Sequence, residues 1–256
     1  MNNNQNLKQF KHLYGLIGHP LSHSFSKKYF NKKFKEAAND TSFYELFPLK
    51  SIEGLSDIME ANKNFKGLNV TIPYKEQVIP FLDKLDDSAA AVGAVNTIKV
   101  EDGWLTGFNT DTYGFEYSLS RKIAEEQLDI KKALVLGTGG ASKAVVYVLE
   151  KLGIITKLVS RSPEREQLSY GMLKKYLIEE YQLIVNTTPL GMYPNENACP
   201  ELTYSALGSN HLLYDLVYNP AETLFMKKGK SQGAKTINGE QMLILQAEKA
   251  WEIWNT

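Results

Sequence analysis

The spacing of apolar residues changes its character near Lys132. Before that point, short apolar segments separated by glycine and proline predict strands and helices in mixed order. After it, continuous apolar runs alternate with segments whose apolar residues recur every three or four positions. A run such as Ala133-Leu134-Val135-Leu136 is typical of a strand buried on both faces, and the repeat after it predicts a helix. The pattern therefore predicts an α/β protein with two domains, the second built on a parallel sheet.

The individual elements follow from the same pattern. In the first part the sequence predicts strands at 13–18, 43–46, 67–72, 96–100 and 104–106, and helices around 29–34, 52–62 and 112–126. Asp102-Gly103 between the last two strands is a strong hairpin signal. In the second part it predicts strands at 133–136, 155–159, 183–186, 212–217 and 234–237, a helix across 144–152, and a final helix over 239–254.

A glycine-rich loop joins the first strand and helix of the second part, with the sequence Gly137-Thr138-Gly139-Gly140-Ala141-Ser142. Such a turn aims backbone N–H groups and a helix N-terminus at a pyrophosphate. Gly137 and Gly139 occupy the first two glycine positions of G-x-G-x-x-G, and Ser142 replaces the third. A purely structural turn is the alternative, but the strand before the loop and the helix after it favour a Rossmann-type dinucleotide site.

The end of the next strand indicates which dinucleotide is bound. NAD-specific folds usually carry Asp or Glu there, to accept from the ribose 2′-hydroxyl. This chain has Ser160-Arg161-Ser162 instead. Arg161 can neutralise a 2′-phosphate and stack on adenine. The alternative is an ordinary solvated arginine, but its position favours NADP.

Two stretches of small polar residues suggest proton chemistry. Lys75 closes Asn69-Val70-Thr71-Ile72-Pro73-Tyr74-Lys75, and Asp111 closes Gly107-Phe108-Asn109-Thr110-Asp111. A lone lysine is usually a surface charge, and a lone aspartate is usually a cap. A lysine held near a carboxylate can instead act as a general acid or base.

Ser24 and Ser26 stand before a predicted helix and suit a carboxylate ligand. An N-cap is an equally good interpretation. His19 and His23 lack partners at metal-ligand spacing, so we expect no metal.

Composition narrows the remaining classes. Lys+Arg and Asp+Glu both number 29, so bulk charge gives no reason to expect a nucleic acid or an anionic membrane as partner. No apolar run is long enough to cross a bilayer. Cys199 is the single cysteine and is expected to be a spectator thiol. These features favour a cytoplasmic protein, as a monomer or homodimer.

Six motifs, in order, give the chain a resemblance to shikimate dehydrogenases over nearly its whole length. They are H-P-L-S-H-S-F-S at 19–26, N-V-T-I-P-Y-K at 69–75, G-A-V-N-T at 93–97, G-F-N-T-D at 107–111, G-T-G-G-A-S at 137–142 and N-G-E-Q-M-L-I-L-Q-A at 238–247.

The resemblance implies specific roles for residues in these motifs. Lys75 and Asp111 are implied to be catalytic. The implied substrate contacts are Ser24, Ser26, Thr71, Asn96, Tyr218 and Gln246. The implied cofactor contacts are Gly137, Thr138, Gly139, Gly140, Ala141, Ser160, Arg161, Ser162, Leu216, Gly239 and Asp87. The family's usual Asn-Arg-Thr appears here as Ser160-Arg161-Ser162, and its Asn-Ala-Thr appears as Asn186-Thr187-Thr188.

The resemblance also implies a reaction and a division into domains. NADPH would reduce 3-dehydroshikimate reversibly to shikimate, in the route to chorismate and the aromatic amino acids. Residues 1–111 with 239–256 would form the substrate-binding domain, residues 112–238 the NADP-binding domain, and the active site would lie in the cleft between them. The alternatives are a quinate/shikimate dehydrogenase that uses NAD, and a non-catalytic NADP-binding sensor.

Overall fold

Residues 7–21 and 24–256 are described by the computed structural model of this chain. The chain divides into two units. Met1–Thr110 and Ala247–Thr256 form the first, and Asp111–Gln246 forms the second. Ser22 and His23 of the serine segment lie outside the described residues.

The first unit is built on a mixed sheet of six strands. Its elements are β1 (His12–Gly18), α1 (Phe25–Glu36), β2 (Ser42–Pro48), α2 (Gly54–Ala61), β3 (Phe65–Val70), β4 (Lys84–Leu85), α3 (Asp87–Val92), β5 (Thr97–Glu101) and β6 (Trp104–Phe108). The strand order is β2-β1-β3-β5-β6-β4. β1 pairs in parallel with β2 and β3, whereas β5 is antiparallel to both of its neighbours. Because β5 and β6 form a hairpin, the chain reverses at Asp102 and Gly103, both with positive φ.

The second unit is built on a sheet of six parallel strands. Its elements are α4 (Thr110–Glu126), which starts one residue earlier, β7 (Lys132–Leu136), α5 (Gly140–Lys151), β8 (Ile155–Ser160), β9 (Leu168–Ser169), α6 (Lys175–Glu179), β10 (Leu183–Asn186), β11 (Leu212–Asp215), α7 (Leu224–Lys230), β12 (Lys235–Asn238) and α8 (Glu240–Asn255). The order β12-β11-β10-β7-β8-β9 is that of a doubly wound fold. The predicted α/β class is confirmed.

Two predicted strands end earlier than expected. β3 ends at Val70 because Tyr74 N–H donates to the Thr71 carbonyl, at 2.9 Å, and turns the chain. β11 ends at Asp215, whose carboxylate accepts from the N–H of Val217, at 3.1 Å. The pattern also missed β4, β9, α3, α6 and α7, none of which exceeds seven residues.

The last helix is shared between the units, which differs from the predicted division. The prediction assigned residues 239–256 to the first domain, but the second unit extends to Gln246. Met242 packs in the core of the second unit with Phe115 and Tyr214. Ala247, Ala250 and Trp254 instead join an aromatic cluster of the first unit, and Trp254 Nε1 donates to the Ile98 carbonyl at 2.9 Å. Within the described part of the chain, no helix combines the length and apolar character needed to cross a membrane.

Candidate active site

The turn that carries Lys75 is held by backbone hydrogen bonds on both sides. Thr71 N–H donates to the Ile17 carbonyl at 2.9 Å, so the turn stays attached to β1 as β3 ends. The ring of Tyr74 is buried, and its hydroxyl donates to the Leu49 carbonyl at 2.8 Å. On the other side, Val95 N–H donates to the Lys75 carbonyl at 2.7 Å. These bonds fix the backbone from which the half-buried Lys75 side chain extends.

Asn96, the residue after Val95, holds the segment that precedes Asp111. Its Oδ1 accepts from Thr110 N–H at 2.7 Å, and its Nδ2 donates to Thr110 Oγ1 at 3.1 Å. Thr110 opens α4, so Asp111 lies in the first helical turn, where the helix dipole favours a negative charge. Asp111 is 8% exposed. Consecutive residues, Val95 and Asn96, therefore hold the backbone at Lys75 and the backbone immediately before Asp111.

The two predicted serines have different surroundings. Ser24 occupies the N-cap position of α1, but its side chain makes no capping hydrogen bond. Its Oγ is buried and has no hydrogen-bond partner among the described residues. Ser26 lies in the first turn of α1, and its side chain favours the ionised form of the nearby Tyr44 hydroxyl. Tyr44 is fully buried, and this burial raises the pKa of its hydroxyl.

Tyr44 belongs to a buried polar network. Its hydroxyl donates to Asn69 Oδ1 at 2.7 Å, and Asn69 Nδ2 donates to Thr97 Oγ1 at 3.2 Å. Thr97 Oγ1 in turn donates to Asn96 Oδ1 at 3.1 Å. The network connects residues of three motifs, which are those at 69–75, 93–97 and 107–111. We call its members Tyr44, Asn69, Asn96, Thr97 and Thr110 the amide cluster.

Two glycines in the glycine loop of the second unit, Gly137 and Gly139, differ in what makes glycine suitable at their positions. Gly137 has φ of +108°, and a Cβ there would lie 2.8 Å from Thr187 Oγ1. Gly139 is the N-cap of α5, and a Cβ on it would meet nothing within 4 Å among the described residues outside its own helix and chain neighbours. Packing of the described residues therefore does not explain glycine at 139, a position that in dinucleotide-binding loops lets the backbone approach the pyrophosphate closely. Ser142 is buried, and its Oγ donates back to the Gly139 carbonyl at 2.6 Å.

The loop after β8 presents a positive charge. Ser160 is the last residue of the strand, and its Oγ accepts from the N–H of Ser162 at 3.2 Å. Arg161 between them is exposed. Its charge acts on nearby Tyr170, where it opposes the rise in pKa that burial of the phenol causes. The glycine loop, which also contains Thr138, Gly140 and Ala141, follows β7. Because β7 and β8 pair in the sheet, the glycine loop and Arg161 follow adjacent strands.

Leu216 and Gly239 come close together at the ends of β11 and β12. A Cβ on Gly239 would lie 2.1 Å from the Leu216 carbonyl oxygen, so only glycine fits. Gly239 N–H donates to the Val217 carbonyl at 3.2 Å. Tyr218, one residue further, is 36% exposed.

A buried carboxylate holds these loops in place. Asp215 has no exposed surface. It accepts from Asn186 Nδ2 at 2.9 Å, from Val217 N–H at 3.1 Å and from Thr223 Oγ1 at 2.6 Å. Burial raises the pKa of Asp215 to about 6, although hydrogen bonds from Thr223, Val217 and Asn186 oppose that rise. We call Asp215, Asn186 and Thr223 the carboxylate cluster.

Comparison with known proteins shows the family. The model of the shikimate dehydrogenase substrate binding domain matches residues 16–98. The shikimate dehydrogenase (NADP(+)) of Methanococcus maripaludis is 40% identical over 258 aligned residues, which cover 94% of this chain and 91% of that protein. The chain belongs to the shikimate dehydrogenase family. It is an oxidoreductase of the shikimate pathway, and its cofactor is NADP.

Two solved structures show the range of this fold. The shikimate 5-dehydrogenase of Thermus thermophilus, in complex with NADP(H) and shikimate, is 30% identical with a TM-score of 0.81, over 94% of this chain and 92% of that one. The quinate dehydrogenase of Corynebacterium glutamicum, in complex with NAD, is 26% identical with a TM-score of 0.84, over 94% of this chain and 93% of that one. The fold is therefore similar to those of enzymes with different substrates and cofactors.

Two further predicted site residues of this shikimate dehydrogenase, Gln246 and Asp87, lie on helices α8 and α3. Gln246 is 9% exposed on α8, and its Nε2 donates to the Leu243 carbonyl at 2.8 Å. Asp87 is exposed at the first residue of α3, in the first unit. Sequence reasoning missed the supporting residues Tyr44, Asn69, Asp215 and Thr223. Asn69 stands in a quoted motif and Asp215 near the end of a predicted strand, so polar residues at strand ends were the available signal.

Proposed function

We propose that the first unit of this shikimate dehydrogenase binds shikimate or 3-dehydroshikimate, and that the glycine loop and Arg161 of the second unit bind NADP. The observation that carries the proposal is the hydrogen bonding of Val95 and Asn96. Val95 fixes the backbone at Lys75, and Asn96 fixes Thr110 before Asp111. A rigid backbone at both residues is what a proton-transfer pair requires.

The roles of the residues follow from the chemistry of ketone reduction. NADPH, when bound, supplies a hydride to the ketone carbon. The oxygen then carries a developing negative charge, and Lys75 donates its Nζ proton to that oxygen. Asp111 accepts a hydrogen bond from the adjacent hydroxyl and so orients the substrate. In the reverse direction Lys75 takes the proton back from the hydroxyl of shikimate.

The remaining predicted contacts orient the ligands. Ser24 and Ser26 bind the substrate carboxylate, and Thr71, Asn96, Gln246 and Tyr218 contact the rest of the ring. Arg161 pairs with the 2′-phosphate, with Ser160 and Ser162 beside it. Leu216 and Gly239 complete the cofactor side within the second unit, and Asp87 adds a contact from the first unit.

Replacement of Lys75 by alanine tests the proposal directly. We expect kcat for shikimate oxidation to fall by about 10²–10⁴, the usual contribution of a general acid or base. Affinity for NADP should stay within about twofold of wild type, because the glycine loop and Arg161 belong to the other unit. The measurement is the absorbance of reduced nicotinamide under saturating shikimate, with fluorescence titration of the cofactor.

Lys66→Ala is the matched control, because Lys66 is an exposed lysine on β3 of the same unit. It should retain wild-type kcat. If Lys75→Ala keeps more than about a tenth of the wild-type kcat, Lys75 does not have the proposed role. Faster turnover of quinate than of shikimate by the unmodified protein would instead favour the quinate/shikimate alternative.

A further inference from the structure

The carbonyl oxygen of Leu136, at the end of β7, accepts two hydrogen bonds from one residue. Thr187 follows β10, and it donates to this oxygen from its N–H at 3.0 Å and from its Oγ1 at 2.7 Å. The first bond continues the pairing of β10 with β7, in which Asn186 lies opposite Leu136. The second bond is added by the side chain, so the Thr187 hydroxyl ties the residue before the glycine loop to the end of β10.

Thr187 also lies against the first glycine of the loop. Gly137 has φ of +108°, and a Cβ on it would lie 2.8 Å from Thr187 Oγ1 and 3.0 Å from Thr188 Cγ2. On the other side, Gly137 N–H donates to the Val159 carbonyl of β8 at 2.9 Å. The start of the glycine loop is therefore held between the ends of β8 and β10.

The other end of the loop is held by a similar pair of bonds. The Gly139 carbonyl accepts from Ser142 N–H at 2.9 Å and from Ser142 Oγ at 2.6 Å. A pyrophosphate is repelled by carbonyl oxygens and attracted by N–H groups at a helix N-terminus. Since hydroxyls help to bind the carbonyls of Leu136 and Gly139 within the protein, they favour a loop conformation suited to an anion.

The Thr187 hydroxyl cannot act as a donor to the ligand while it makes this bond. A hydroxyl has one proton, and the Leu136 carbonyl accepts the proton of Thr187. The oxygens of a pyrophosphate diester are acceptors, so this hydroxyl has no proton to offer them. Any effect of Thr187 Oγ1 on pyrophosphate binding must therefore pass through the glycine loop.

We infer that Thr187 is a positioning residue for NADP, which holds the glycine loop in the conformation that binds the pyrophosphate. The inference rests on the proposed binding of the pyrophosphate by this loop. Apparent affinity falls with the fraction of molecules whose loop has the binding conformation. Loss of the hydroxyl should therefore weaken NADP binding without abolishing it.

Thr187→Val replaces the hydroxyl by a methyl group of similar size and keeps the branched side chain. We expect the dissociation constant of NADP, measured by isothermal titration calorimetry, to rise by about three- to tenfold, the value of one neutral hydrogen bond. Thr187→Ser keeps the donor and should bind NADP as wild type does. At saturating shikimate and NADP, kcat should change little in both variants, because the cofactor is then bound.

Adenosine 2′-monophosphate separates an effect on the loop from general loosening of the second unit. This probe carries the adenine and the 2′-phosphate proposed to contact Arg161, but it has no pyrophosphate. Its dissociation constant should be the same in Thr187→Val and in wild type. Thr156→Val is the matched control, because Thr156 Oγ1 donates to the Ile154 carbonyl at 3.1 Å near the start of β8. It should leave the affinity for both ligands unchanged.

Thr187→Ala tests the inference even if Thr187→Val does not fold, because it also lacks the hydroxyl and carries the residue usual in the family's Asn-Ala-Thr. It should weaken NADP binding to a similar extent. Wild-type affinity for NADP in a folded variant without the hydroxyl would overturn the inference. An equal loss in Thr187→Ser, or an equal loss of affinity for adenosine 2′-monophosphate, would also overturn it.

Gly139→Ala tests the underlying assignment of the loop separately. A Cβ there would meet nothing within 4 Å among the described residues outside its own helix and chain neighbours, so we expect the variant to fold. It should weaken NADP binding more than Thr187→Val does, because the added methyl group keeps the pyrophosphate from the backbone. If Gly139→Ala binds NADP as wild type does, the glycine loop is not the pyrophosphate site, which is a different result.

Discussion

The amide cluster of the first unit and the carboxylate cluster of the second perform similar structural work with different chemistry. Each joins the ends of neighbouring strands to the loops that carry predicted site residues. The amide cluster uses amides, hydroxyls and one tyrosine whose pKa is raised by burial. The carboxylate cluster depends on Asp215, an acid with no exposed surface and a pKa of about 6. We therefore expect the loops on the cofactor side to be sensitive to pH, whereas backbone hydrogen bonds hold the turn of Lys75.

The two clusters also differ in how many hydrogen bonds are lost when one residue is replaced. Asp215 accepts from three donors at once, so its loss removes a hydrogen bond from each of them. The amide cluster is a branched network in which Thr97 and Thr110 each contact Asn96, so the loss of one bond leaves others in place. This contrast leads to predictions of decreasing size.

Asp215→Ala should cause the largest loss of stability. It removes the acceptor of Thr223 Oγ1 and of the Val217 N–H, and it leaves Asn186 Nδ2 only its long bond to the Leu190 carbonyl at 3.4 Å. Each buried unpaired donor costs about 1–3 kcal/mol. We expect urea unfolding to show a loss of roughly 3–5 kcal/mol at neutral pH, together with a higher KM for NADP. A loss below about 1 kcal/mol would show that water or relaxation replaces the carboxylate.

The pH dependence of stability should distinguish the two clusters. The pKa of Asp215 is raised from 3.8 in the unfolded chain to about 6 in the folded protein, so folding favours its protonated form. Its contribution to stability is therefore fully present below about pH 4 and is lost as pH rises through about 6. Asp215→Asn removes this titration, so wild-type stability relative to that variant should fall between pH 4 and 7.

Asn96→Ala is the matched variant in the amide cluster. It removes the acceptor of Thr110 N–H and should cost about 1–3 kcal/mol. Because no titrating group is lost, the difference from wild type should be the same at pH 4 and pH 7. A clear pH dependence for Asn96→Ala, or none for Asp215→Asn, would remove the distinction between the clusters.

The sequence predicted those strands and helices whose apolar pattern is visible within a single segment. β7 and α5 were found as expected, because a continuous apolar run and a helical repeat are visible within one segment. α8 was also expected, from an apolar stripe that looks continuous along the sequence. Met242 nevertheless packs in the core of the second unit, whereas Ala247 and Trp254 pack in the aromatic cluster of the first. No periodicity marks the residue at which a helix passes from one core to another.

The candidate site also has one part that the sequence predicted and another that it did not. Motifs gave the positions of Lys75, Asp111 and the serines, because their residue types and order are visible along the chain. The contacts that support them could not be predicted. Tyr44 on β2 and Asn69 on β3 are 25 positions apart in the sequence. Their side chains meet across β1, which lies between the two strands in the sheet.

Cofactor preference tests the central claim most directly, namely that this chain is an NADP-dependent shikimate dehydrogenase that recognises the 2′-phosphate through Arg161. The measurement is kcat/KM for NADP and for NAD at saturating shikimate, in wild type, in Arg161→Ala and in Arg121→Ala, an exposed arginine of α4 that pairs with Glu125 at 2.7 Å. The account predicts that wild type and Arg121→Ala prefer NADP by at least about tenfold, equivalent to about 1.4 kcal/mol. Arg161→Ala should lose that preference through a higher KM for NADP. Equal use of NADP and NAD by the wild-type protein would contradict the account.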